Sequence, residues 1–170
     1  MSYTTVLSLE PGEVSGEIED LRNSHGTQPY VWGAMCEKYL DGGHWLEVSG
    51  KLWPLIEDQA IPKNHRIMLL ITCDRARIEK KNYLRAAKEI REFMEELPCP
   101  ENRVCHWPRI AEILESEPSC HSIGFSGSLS DNLFDGDWDE QRGERDAIEW
   151  SATTEVYDEI ESLESKGKIS

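Results

Sequence analysis

The strongest periodicity in the chain lies between Ile78 and Leu97. At 100° per residue, Tyr83, Ala86, Ala87, Ile90, Phe93, Met94 and Leu97 fall on one face, and Arg77, Lys81, Arg85, Lys88 and Arg91 on the other. Pro98 and Pro100 stop the pattern. A helix with one apolar face has to bury it against other elements, so the fold is built around this segment. At 170 residues the chain fits one domain, and six Trp, five Tyr and three Phe spread along it supply aromatic mass for a core.

The remaining elements are read from shorter signals. Tyr3 to Leu9 is rich in Thr, Val and Leu and reads as a strand, closed by Pro11-Gly12. Gly12 to Gly26 is polar, with Ile18 and Leu21 spaced for a short helix. Thr27 stands where an N-cap would, with Pro29 in the first turn, and the helix that follows runs to Leu40 before Asp41-Gly42-Gly43 ends it. Trp45, Val48, Leu52 and Ile56 again have helical spacing, which Pro54 should bend or cut short. Periodicity does not separate helix from strand in the apolar run Ile67 to Ile71. Its flanks lack hairpin-turn residues, which favours helix. Val104 to Leu114 reads as a helix, Ser122 to Leu129 as a strand, Asp131 to Gly143 as an acidic loop and Thr153 to Leu163 as a last helix. The expectation is an α+β fold: a helix-dominated single domain, residues 1–170, with a small antiparallel sheet.

Charge divides the chain unevenly. The net charge is −15, yet residues 62–114 hold 11 basic and 8 acidic side chains, whereas residues 131–164 hold 13 acidic and 2 basic. Such a molecule repels nucleic acid and anionic membrane surfaces, so neither is an expected partner. The longest apolar run is far below the roughly 20 residues that span a bilayer. No basic segment followed by an apolar stretch opens the chain, and the five cysteines lack compact disulfide spacing. A reducing, cytoplasmic setting is expected.

Spacing bears on three chemistries. Cys99, Cys105, His106, Cys120 and His121 are zinc-type ligands, but no C-x2-C pair occurs among them. The run Asp135 to Glu140, with Asp131, alternates carboxylates as calcium loops do. Counted from Asp135, however, Glu140 and Asp146 occupy the positions where an EF-hand needs Gly and Glu. For nucleophilic catalysis, Gly124-Phe125-Ser126-Gly127 lacks the elbow spacing, and Cys73 would need the fold to bring His65 to it. No metal, cofactor or catalytic residue is expected. A small metal- or thiol-dependent enzyme, and an adaptor subunit of a cytoplasmic complex, stay as alternatives.

The acidic segment 131–164 also contains Phe134, Trp138, Trp150 and Tyr157. Aromatic side chains supply anchoring area at interfaces, while carboxylates steer a basic partner. Asp131, Phe134, Asp135, Asp137, Trp138, Asp139 and Glu140 are therefore the expected partner-binding residues. In net charge, in the DGDWDE stretch and in lacking catalytic motifs, the chain resembles the immunity proteins of bacterial toxin systems. The resemblance implies a stoichiometric inhibitor of a basic toxin domain.

Overall fold

Alternating Thr, Val and Leu from Tyr3 to Glu10 form β1, and Pro11 turns the chain back into β2, Glu13–Arg22, antiparallel to it. The computed structural model describes residues 2–11, 13–73, 76–127, 138–139, 141, 144–145 and 153–167. β2 replaces the short helix expected between Gly12 and Gly26. It is an edge strand, exposed along most of its length and carrying Glu13, Glu17, Glu19 and Asp20. A charged edge resists pairing with other chains and, with only Leu21 fully buried on it, shows little apolar alternation.

Helix α1, Gln28–Tyr39, begins where expected, although Thr27 does not cap it with its side chain. The Thr27 hydroxyl is buried within 2.6–2.7 Å of Ser24 O, Gln28 Oε1 and Thr4 Oγ1, tying the helix start to β1. Asp41, Gly42 and Gly43 all have positive φ and end the helix, a role in which two glycines cost no steric strain. The spacing of Trp45 to Ile56 yields only one α-turn, α2 (Ser49–Leu52). It passes into a 3-10 turn, Trp53–Ile56, at Pro54.

The run Ile67–Ile71 is helical, within α3 (Lys63–Ile71), and every residue from His65 to Ile71 is buried. A helix buried all round has no polar face, which is why periodicity did not identify it. The strong helix of the sequence begins later than its pattern suggested. Ala76–Glu79 form β3, a 3-10 turn follows, and α4 spans Tyr83–Glu96 with Tyr83, Ala86, Ala87, Ile90 and Phe93 inside. Ala76 and Ile78 are buried at period two, not 3.6, so Arg77 belongs to a strand and not to the basic helix face. Helix α5, Trp107–Glu115, and strand β4, Ser122–Gly127, follow.

Beyond β4, Trp138–Asp139 (β5) pairs with Glu144–Arg145 (β6), and Thr154–Glu155 (β7) leads directly into α6, Val156–Gly167. The five-stranded sheet has the order β2-β1-β4-β3-β7. Its first three pairings are antiparallel, as expected. The fourth, β3 with β7, is parallel, so the sheet is mixed. One core joins Val6, Ile78, Ile123 and Phe125 of the sheet to α1, α3, α4, α5 and α6, giving an α+β single-domain fold. Among the described residues no helix is long and apolar enough to cross a membrane.

Candidate functional site: an acidic surface with exposed tryptophans

Many basic residues of the middle of the chain are paired with the chain's own carboxylates. Helix α6 lies against α3 and β3, and its carboxylates meet their cations. Asp158 lies 3.7 Å from Lys81 and Glu161 3.4 Å from Arg85, while Glu164 takes both Lys63 at 2.8 Å and Arg66 at 2.9 Å. The Arg85 guanidinium also sits 4.2 Å over the Tyr157 ring. Arg91 is bidentate to Glu115 at 2.7 Å, Lys88 pairs with Glu92, and Arg77 pairs with Glu79 and donates to Thr153 O. Each cation of the expected basic face thus has a carboxylate of the chain beside it. The solvated carboxylates gain little stability from these pairs, but the pairing leaves the excess acidity unopposed elsewhere.

Of the seven expected partner-binding residues, Trp138 and Asp139 form β5, opposite Arg145 and Glu144. Asp131, Phe134, Asp135, Asp137 and Glu140 lie outside the described residues, as does Trp150. Tyr157, counted among the interface aromatics, is a core residue at 1% exposure.

Exposed aromatic surface occurs instead on the segment after α1. Trp32 contacts Trp45 at 4.7 Å and Trp53 at 5.8 Å between ring centroids, and His44 stacks on Trp45. Trp53 is 37% exposed and Leu46 64%. The Trp32 indole N–H donates to Thr72 Oγ1 at 2.8 Å, which fixes the cluster to the end of α3. Asp41, Glu47, Glu57 and Asp58 on the same segment are exposed. Trp32 and Trp45 are half-buried and pack against the edge of the core.

Beside this cluster lies an open cleft of about 560 Å³, between the first turns of α1, the turn after α1 and the segment 99–104. One wall is set by Gly26: a Cβ there would stand 2.6 Å from Val104 O, and Gly26 O accepts from His106 N at 2.9 Å. His106 Nε2 donates to Arg22 O at 2.6 Å, so this imidazole braces the loop.

The groups singled out for catalysis do not converge. Among the described residues no three His, Cys, Asp or Glu side chains come together to hold a metal ion. Cys120 packs against the Tyr83 hydroxyl, and burial pushes the Cys105 thiol up to about 11. Both nitrogens of buried His65 face groups other than a thiol: Nδ1 is 2.6 Å from Tyr39 Oη and Nε2 3.0 Å from Glu96 Oε2. Burial lowers the His65 pKa below 6.5; Glu96 opposes this and Lys38 adds to it. The imidazole is thus neutral at pH 7, accepting from Tyr39 O–H and donating towards Glu96.

Because the unfolded chain binds this proton more readily than the folded one, His65 contributes stability that is present above pH 6.5 and lost as pH falls. Urea melts of the wild type and His65→Gln at pH 7.5 and 5.5 check this. The wild type should lose more stability across the interval than the variant, and equal losses would assign the titration elsewhere. Set beside known proteins, the chain matches no family model, no curated protein and no solved structure.

Proposed function

We propose that the protein is a non-catalytic, stoichiometric binding protein that neutralises a basic partner, of the kind that immunity proteins provide against a toxin domain with nuclease-like positive charge. The observation that carries this reading is the internal pairing of Lys63, Arg66, Lys81 and Arg85 with α6, in a chain whose net charge is −15. These four cations are held by the chain's own carboxylates, and Arg66 among them is buried. In this reading Asp135, Asp137, Asp139 and Glu140 pair with basic groups at the partner's site while Trp138 packs beside them. Carboxylates in that role speed encounter and set the register of docking. They occupy the place that phosphates would take.

The test begins with capture of partners from the native cell, elution in a salt gradient and identification by mass spectrometry. One basic protein at equal stoichiometry, released only at high salt, is the expected result. Replacing Asp135, Asp137, Asp139 and Glu140 with Lys should weaken that complex by about 100-fold or more and flatten its salt dependence. The thermal unfolding of the free protein should stay as it was. Unchanged affinity in the folded variant would remove this segment from the interface.

A further inference from the structure

The cleft beside α1 has a chemistry opposite to that of the rest of the molecule. In a chain with 33 Asp and Glu residues, no carboxylate among the described residues lines it. Its polar lining consists of Arg103, His25, His44, Asn23, Asn102 and Cys99, almost all of them able to donate hydrogen bonds. Arg66, Arg77, Arg85, Arg91 and Arg109 each meet a carboxylate within the chain. No such pair engages Arg103 among the described residues. Glu101 and Asp41, on the same loops, do not line the cleft.

Gly33 supplies an independent observation. It lies within α1 and lines the cleft, and a Cβ built on it meets nothing within 4 Å. Neither packing nor a left-handed backbone requires glycine there. In a helix interior the residue costs about 0.5–1 kcal/mol relative to Ala. Gly26, in the same wall, is needed because Val104 O approaches it. Gly33 is needed for nothing in the fold, and what its bare backbone provides is room above the cleft floor.

The remaining wall is aromatic. His44 and Trp45 line the cleft with their rings stacked, centroids 5.3 Å and planes 28° apart, and Trp45 also contacts Trp32. A stacked ring pair beside an uncommitted guanidinium matches a ligand with a flat ring and an anionic group, since the Arg fork takes a carboxylate through two parallel hydrogen bonds. About 560 Å³ is the size of small-molecule sites. The surrounding charge selects further: a molecule of net −15 disfavours a dianionic phosphate ester more than a singly charged acid. We infer that this cleft is a binding site for a small aromatic monocarboxylate, its carboxylate on Arg103 and its ring against His44 and Trp45. The site does not depend on the partner-binding role proposed above.

Benzoate and indole-3-acetate are suitable probes, titrated into the full chain by calorimetry and by ligand-observed NMR, with acetate and neutral indole as halves of the ligand. Saturable binding of both aromatic acids is expected, at least 10-fold tighter than acetate or indole. Gly33→Leu should abolish it while thermal unfolding is unchanged or raised, because the added side chain projects into the cleft and improves the helix. Arg103→Gln, at an exposed position with no internal partner to lose, should weaken the acids about 10-fold and leave indole unaffected. Three results would each overturn the assignment: no saturable binding of either acid up to 10 mM, unchanged affinity in folded Gly33→Leu, or indole binding as tightly as indole-3-acetate.

Discussion

Trp107→Ala destabilises the protein by about 3–5 kcal/mol, a large part of the roughly 5–15 kcal/mol that holds a domain of this kind together. Trp107 is 1% exposed at the start of α5, its ring 6.1 Å from that of Phe125 on β4, and its indole N–H donates to Thr27 O at 3.1 Å. Truncation to Ala opens a cavity between helix and sheet and also releases the residue that starts α1. Trp107→Phe separates the two effects. It retains most of the buried ring and loses only the indole hydrogen bond, and Thr27 O still accepts from Tyr30 N at 3.2 Å. A loss of about 1 kcal/mol is expected for it. Urea denaturation of both variants measures the difference, and a Trp107→Ala loss below 1 kcal/mol would mean that this junction is not part of the cooperative core.

Glu155→Ala is expected to cost about 2–4 kcal/mol. This carboxylate is 4% exposed and accepts four hydrogen bonds. Oε2 takes the backbone N–H groups of Tyr157 and Asp158, both at 2.8 Å, which would otherwise be unmatched donors at the start of α6. Oε1 takes Asn82 Nδ2 at 3.0 Å and Glu79 N at 3.3 Å. The residue thus caps α6 and binds the end of β3 with one group. Glu155→Gln keeps a single acceptor oxygen and turns an amide towards backbone donors, so it should recover less than half of the loss. Since these are hydrogen bonds to neutral donors in a buried place, the loss should persist in 1 M NaCl, where surface pairs such as Lys88–Glu92 contribute nothing. A loss that vanished in salt would contradict the capping role.

How far the fold was readable from residues alone depends on how each element is buried. α4 and α5 each present one buried face, and their periods showed it, while α1 was marked by the residues at its two ends. β3 and β7 are short, and β7 is only Thr154–Glu155, so neither is long enough to establish an alternation. Ile78 was absorbed into the helical stripe because the two periods overlap for a few residues at a strand-to-helix junction. Glu155 escaped notice because Glu is not among the residues that normally cap helices. The cleft was invisible for a different reason: its lining comes from residues near 23–33, 43–45 and 99–104, and no local pattern links these three stretches.

The order of strands has a consequence for how this protein can diversify. β4 and β7 are the two neighbours of β3, so the chain leaves the sheet at Gly127 and returns at Thr154 about 10 Å away, two strand spacings. Both anchor points are set by the sheet and by α6, whatever sequence lies between them. Changing the length of the intervening stretch twofold alters its closure entropy by only about 0.6 kcal/mol. Insertions and deletions between these two strands therefore cost little in closure entropy, and length differences among related chains are expected to concentrate there.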